Sequence, residues 1–110
     1  MAEQTDAVPE GMRRYFLGML HKGPAWTNVD SPEVAALHAR HLAYLDALRD
    51  SGKLVLVGPL VDDGPWRGAS IYAVASLAEA RALMEADPAV QAVRFTCEVY
   101  TWLVPDDILP

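Results

Sequence analysis

Two side chains, His41 and Asp87, have the residue types that acid-base chemistry needs. At an advance of ~100° per residue, a helix would place His41 near the middle of an apolar stripe. The stripe consists of Val34, Leu37, Tyr44, Leu45 and Leu48. An imidazole there loses water from both ring nitrogens, so it needs a hydrogen-bond partner or a place in a pocket wall. His41 is therefore either a core histidine bonded to a backbone carbonyl or the proton-transfer group of a site.

Asp87 ends the second helical pattern and is followed by Pro88. A carboxylate at the end of a helix faces the negative pole of the dipole, so the dipole does not explain this residue. One explanation is structural, with Asp87 capping a short following turn that begins at Pro88. The other is functional: Asp87 binds the imidazole of His41, fixes its tautomer and leaves the second ring nitrogen for acid-base catalysis. The sequence leaves both open.

The elements that must position these residues follow the order strand, helix, strand, strand, helix, strand. Ser31 before Pro32 predicts the start of the first helix, and Gly52 predicts its end. A capping box of Ser76 and Glu79 predicts the start of the second helix. Strands are predicted at residues 12–21, 53–57, 69–74 and 93–102. This order is typical of the α+β, ferredoxin-like βαββαβ fold, with an antiparallel sheet and two helices on one face.

The second face of such a sheet is predicted to be partly apolar, because Tyr15 or Phe16, Tyr72 and Trp102 fall on the strands. An exposed apolar patch of this kind usually marks an interface. We therefore expect a homodimer that packs sheet on sheet about a two-fold axis.

Composition limits the function classes. The chain has 110 residues, 52% of them hydrophobic, and a formal net charge of −6. We expect a flexible leader at residues 1–11, one domain at 12–104 and a tail at 105–110. The negative charge opposes nucleic-acid binding, and no apolar run reaches the ~20 residues that span a bilayer. An acidic, polar beginning is unlike a signal peptide, so we expect a cytoplasmic protein.

Four arginines are available to attract a small anion: Arg13, Arg14, Arg67 and Arg94.

Several other residues have an ordinary structural explanation beside a functional one. Trp26 is too large to leave in water, so it either closes over a pocket or packs at a subunit contact, and Trp66 lies on a second loop. The pair Asp62 and Asp63 suits a metal or acid-base site, but aspartates before glycine are typical of turns. The single cysteine, Cys97, fits a core position and excludes an internal disulfide. We predict neither a metal nor a cofactor.

A set of short motifs in order resembles the YCII-related (YciI-like) family of the dimeric α+β barrel superfamily. The motifs are His41-Leu42-x-x-Leu45, Gly52-x-Leu54, Gly58-Pro59-Leu60, Gly68-Ala69-Ser70 and Asp87-Pro88. The resemblance covers residues 12–104 and implies a ferredoxin-like dimer. It also implies that a His and Asp pair forms the site, at His41 and Asp87.

The same resemblance implies a cleft for a small-molecule substrate. Its wall would include Gly58, Pro59 and Ser70, and His38, Trp26 and Trp66 are further candidates for substrate contact. One type of family member removes chloride from a chlorinated hydroxyhydroquinone without a cofactor. We therefore expect a cofactor-free elimination or isomerisation of a small aromatic or enolic metabolite. The alternatives are a non-catalytic dimeric ligand-binding or accessory protein and a cofactor-independent oxygenase.

Overall fold

The computed structural model describes residues 7–109. The elements in chain order are β1 (Met12–Lys22), α1 (Pro32–Asp50), β2 (Leu54–Pro59), β3 (Trp66–Tyr72), α2 (Leu77–Glu85), α3 (Pro88–Gln91) and β4 (Phe95–Pro105). The four strands form one antiparallel sheet in the order β2-β3-β1-β4. The helices cover one face of it, so the ferredoxin-like α+β prediction is confirmed. Residues 1–6 of the predicted leader, and residue 110 of the predicted tail, lie outside the described residues.

Side-chain caps start both long helices, as predicted. The Ser31 hydroxyl accepts a hydrogen bond from the Val34 backbone N–H at 3.1 Å, and the Ser76 hydroxyl accepts one from Glu79 at 3.0 Å. The Glu79 carboxylate accepts in return from the backbone N–H of Ala75 at 3.3 Å, one residue before the cap. Within residues 7–109, none of the helices combines the length and the apolar character that crossing a membrane requires.

Every strand differs from its predicted range by about one to three residues at one or both ends, and the starts of β3 and β4 have a structural cause. β3 begins at Trp66, not at residue 69, because Trp66 pairs with His21 at the end of the β1 ladder. β4 begins at Phe95, not at residue 93, because Val93 has a φ of 51°. A β-branched residue in this left-handed region is uncommon and cannot continue a strand.

The core between helices and sheet depends on a close approach at Gly18. The buried cluster consists of Phe16, Leu48, Leu54, Tyr72, Ala80, Met84 and Val99. A Cβ on Gly18 would lie 2.5 Å from Met84 Sδ and 2.6 Å from Ser70 Oγ. Met84 is 3% exposed, so it has little room to move away. Gly18 therefore allows α2 to pack directly on β1.

The opposite face of the sheet has a smaller apolar cluster. Tyr15, Ile71 and Val104 are buried in it. Around them, Leu56 is 57% exposed and Trp102 is 45% exposed. Large apolar side chains therefore remain in contact with solvent on the face that carries no helix.

The packing at Gly18 predicts that Gly18→Ala destabilises the fold. The added methyl group must displace both Met84 and Ser70, and overpacking of this kind costs about 1–3 kcal/mol. Gly58→Ala is the matched control, because a Cβ there meets no atom within 4 Å. Its free energy of unfolding should stay within about 1 kcal/mol of the wild-type value. Urea denaturation measures both, and equal stability of the two variants would contradict this account of the core.

Candidate active site

A buried side-chain contact beneath the sheet joins His41 to Asp87. His41 Nδ1 lies 2.7 Å from Asp87 Oδ2. The two side chains are 9% and 4% exposed. His41 comes from the middle of α1, and Asp87 comes from the junction between α2 and α3. Groups 46 residues apart in the chain thus form one buried pair.

The two oxygens of Asp87 have different partners. Oδ1 accepts a hydrogen bond from the backbone N–H of Ala89 at 2.9 Å, which caps α3. Oδ2 faces His41 Nδ1. Asp87 therefore caps α3 with one oxygen and contacts His41 with the other, so its structural and functional explanations are compatible. Because an ionised carboxylate only accepts hydrogen bonds, Nδ1 must carry the proton of a neutral imidazole. Nε2 is then the ring nitrogen that can take up a proton.

Two aromatic side chains, Phe95 and Tyr44, lie near this pair. The Phe95 ring meets the His41 ring edge-on, with centroids 5.6 Å apart and planes at 61°. The Tyr44 hydroxyl donates to the Leu83 carbonyl at 2.6 Å and so ties α1 to α2. Burial raises the pKa of Tyr44, and the negative charge of Asp87 raises it further. Tyr44 therefore stays a hydrogen-bond donor beside the pair.

A cavity of about 480 Å³ opens beside His41 and Asp87. This is the size range of pockets that hold small molecules. The structure brings most of the residues singled out in the sequence to its wall. Those residues are Trp26, His38, Gly58, Pro59 and Ser70. His38 is exposed, with its ring centroid 5.9 Å from that of His41, and so lies at the rim.

Trp66 is the candidate that the structure does not bring to this wall. Its ring stacks on His21, with centroids 3.9 Å apart. His21 in turn lies 3.3 Å from the Glu98 carboxylate. The sequence prediction placed Trp66 on a loop, whereas it is the first residue of β3. Strand pairing with His21 directs its side chain to the helix-free face of the sheet.

The sequence pattern placed Tyr72 on the second face of the sheet, whereas the structure packs it in the core between helices and sheet and in the cavity wall. Burial raises its pKa to about 12, and a hydrogen bond with Ser70 opposes part of that rise. The Ser70 hydroxyl also donates to the Gly18 carbonyl at 3.3 Å. Two neutral hydroxyl groups therefore face the cavity region together. The two-residue spacing on β3 was the available signal, because alternate strand residues share a face.

Trp26 closes one end of the cavity through the loop after β1. Backbone N–H groups of this loop donate to the chain before β4, from Gly23 to the Arg94 carbonyl at 2.8 Å and from Ala25 to the Val93 carbonyl at 3.0 Å. These bonds hold Trp26 in the cavity wall. Of the two alternatives for Trp26, the structure of the single chain shows the pocket wall.

Arg67 and Arg94 also line this end of the cavity. The Arg94 guanidinium carbon lies 4.2 Å from the centre of the Trp26 ring, and that of Arg67 lies 5.6 Å from it. Both had been identified as available to attract an anion. The other two arginines of that set are in the first residues of β1 and are not in the wall.

The remaining candidates, Asp62, Asp63 and Cys97, are not in the cavity wall. Asp62 and Asp63 are exposed in the turn between β2 and β3. Within residues 7–109, no three or more His, Cys, Asp or Glu side chains are grouped as metal ligands. Cys97 packs against the core between helices and sheet, and burial raises the pKa of its thiol.

Comparisons with known proteins identify a family and a similar solved structure. A family model described as the YCII-related domain matches residues 16–103. The chain is also similar to a solved structure, the 5-chloro-2-hydroxyhydroquinone dehydrochlorinase (TftG) from Burkholderia phenoliruptrix AC1100, in complex with 2,5-dihydroxybenzoquinone. The two share 28% sequence identity and a TM-score of 0.60, over 80% of this chain and 92% of the other. No curated protein sequence matches significantly.

The hydrogen bonds of Asp87 predict that Asp87→Asn reverses the tautomer of His41. The asparagine oxygen can keep the cap on Ala89, which directs its NH₂ group at His41 Nδ1. Nδ1 must then accept, and the ring proton moves to Nε2. Long-range ¹H–¹⁵N spectra of the neutral imidazole report this change directly. Asp46→Asn, an exposed change on α1, is the matched control and should leave the spectrum unaltered. An Nδ1-protonated ring in Asp87→Asn would contradict the assignment.

Proposed function

The chain belongs to the YCII-related domain family, and from this premise we propose that it is a small enzyme that performs acid-base chemistry on an aromatic or enolic metabolite. The observation that carries the proposal is the 2.7 Å contact of His41 Nδ1 with Asp87 Oδ2 in the wall of a cavity. Perturbed or paired titratable groups in a cleft favour a functional site. The similarity to a dehydrochlorinase of a hydroxyhydroquinone supports the same class of substrate.

In the proposed mechanism, His41 Nε2 removes a proton from a substrate hydroxyl or carbon. Asp87 stabilises the imidazolium that forms, because its Oδ2 accepts from the protonated Nδ1. In an elimination, the imidazolium first returns the proton to the ring carbon that bears the leaving group. Removal of a second hydroxyl proton then sends the electron pair of the O–H bond into the π system, and chloride or another leaving group departs with the electron pair of its own bond. In an isomerisation, the imidazolium returns the proton to a different substrate atom. Both reactions balance without an external oxidant or reductant.

The other wall residues bind and orient the substrate in this proposal. Ser70 and Tyr72 present hydroxyl groups to the oxygens of a phenol or enol. Gly58 and Pro59 contribute an edge of β2 with no bulky side chain. Trp26 supplies an aromatic surface, and His38 lies at the opening.

Exchange of the proposed base tests the mechanism. His41→Gln should lower kcat/KM for chloride release from 5-chloro-2-hydroxyhydroquinone by about 10²–10⁴-fold, the usual contribution of a positioned acid-base group. Asp87→Asn should lower it too, because it places the proton on Nε2. His21→Gln is the matched control, since His21 is outside the cavity wall.

An active wild type whose turnover survives His41→Gln would remove the proposed mechanism. A wild type that binds 2,5-dihydroxybenzoquinone but releases no chloride would favour the accessory ligand-binding alternative. A large loss of thermal stability in both pair variants, with no ligand binding by the wild type, would make the pair purely structural.

The proposed enzyme is a homodimer through the helix-free face of the sheet. This face exposes Leu56 and Trp102 around the cluster of Tyr15, Ile71 and Val104. A second copy offers the same apolar surface, so a two-fold axis buries both at once. The four-stranded sheet provides a continuous platform for that contact.

The dimer predicts that Trp102→Glu produces a monomer. A buried, unpaired carboxylate at the centre of the contact costs several kcal/mol. Val61→Glu is the matched control, because Val61 is 89% exposed on the loop between β2 and β3. Light scattering coupled to size-exclusion chromatography should give a dimer for the wild type and Val61→Glu. A monomeric wild type at micromolar concentration would refute this interface.

A further inference from the structure

The cavity carries positive charge in a chain that is negative overall. The formal net charge is −6, yet Arg49, Arg67 and Arg94 all line the cavity. Arg49 lies 3.3 Å from the Asp46 carboxylate. Among the ion pairs within residues 7–109, none involves Arg67 or Arg94. Two guanidinium groups therefore reach the cavity without a carboxylate from the described chain.

Backbone carbonyls hold these two groups in position. Arg67 donates from Nε to the Trp66 carbonyl at 2.9 Å and from Nη2 to the Asp62 carbonyl at 2.9 Å. Arg94 donates from Nη1 to the Thr27 carbonyl at 3.0 Å. A carbonyl orients a guanidinium but carries no net charge. Each arginine has five N–H donors, so both keep donors for a further acceptor.

The two guanidinium groups both lie next to the ring of Trp26. Both guanidinium carbons lie within 5.6 Å of the centre of its ring. Both arginines are half-buried, so the attraction of an anion is screened less than at an open surface. A planar guanidinium suits a carboxylate or another anionic oxygen, because two parallel N–H donors match its geometry.

We propose that Arg67 and Arg94 form an anion subsite, and that the substrate is a small ring compound carrying a carboxylate or ionised oxygen beside the group that His41 deprotonates. Phe95 links the two ends of the site. Its ring centre lies 5.6 Å from that of His41 and 5.9 Å from the Arg94 guanidinium. One small molecule can therefore contact both. The inference rests on the proposed function only for the part of the substrate that meets His41.

Binding of two matched compounds tests the subsite. The anion 2,5-dihydroxybenzoate and the neutral 2,5-dihydroxybenzamide have nearly the same shape, and calorimetry measures both. The wild type should bind the benzoate about tenfold more tightly, since charge-assisted bonds replace neutral ones. The preference should shrink as NaCl rises from about 50 to about 500 mM. The Arg67→Gln, Arg94→Gln double variant should bind the two compounds with about equal affinity.

Control variants separate charge from packing. Arg40→Gln changes an exposed arginine of α1 outside the wall and should keep the preference. The Arg67→Lys, Arg94→Lys double variant keeps both charges without the paired guanidinium donors and should retain part of the preference, with thermal melts confirming that each variant folds. Equal affinities in the wild type, or an undiminished preference in the glutamine double variant, would overturn the subsite.

Failure of the proposed acid-base mechanism can be distinguished from failure of the anion subsite. His41→Gln should keep the preference for the benzoate while losing turnover. A His41→Gln variant with full turnover and an intact preference would end the acid-base mechanism but leave the subsite standing.

Discussion

A buried carboxylate that must satisfy both of its oxygens is the constraint on which the site depends. Taking an ionised group out of water is costly unless hydrogen bonds replace its hydration. Asp87 meets this requirement with one backbone N–H and one imidazole nitrogen. Both partners are thereby fixed, since the first starts α3 and the second determines the tautomer of His41. The same contact thus contributes to the fold and leaves Nε2 of His41 as the ring nitrogen without a proton.

The sheet and its small residues make the space in which this pair can act. Gly18 lets α2 pack on β1, which holds the end of α2 and therefore Asp87 beneath the sheet. On the other side of the cavity, β2 presents Gly58 and Pro59 without large side chains. The left-handed backbone of Val93 turns the chain from α3 into β4. That turn also supplies the carbonyl that anchors the loop of Trp26.

The charges of the cavity are arranged in two regions. The negative Asp87 is paired with His41 and is almost completely buried. Arg67 and Arg94 lie around Trp26, where carbonyl oxygens orient them. In the proposed function, one of these regions transfers a proton while the other attracts an anion. The net negative charge of the chain opposes its association with other negatively charged macromolecules. It does not determine the local electrostatic field inside the cavity.

The sequence by itself determined the order of elements, the starts of both long helices and two residues worth testing, because caps, strand periodicity and apolar stripes are local signals. Apolar periodicity placed His41 on the buried side of α1, and the Asp87-Pro88 step predicted the break after α2. Only the tertiary structure decided that these side chains meet, since their 2.7 Å contact bridges 46 residues. It also decided that Trp66 lies outside the cavity wall, whereas Arg67, Arg94 and Tyr72 line the cavity. Strand pairing and loop anchoring determine those directions, and they depend on residues far away in the chain.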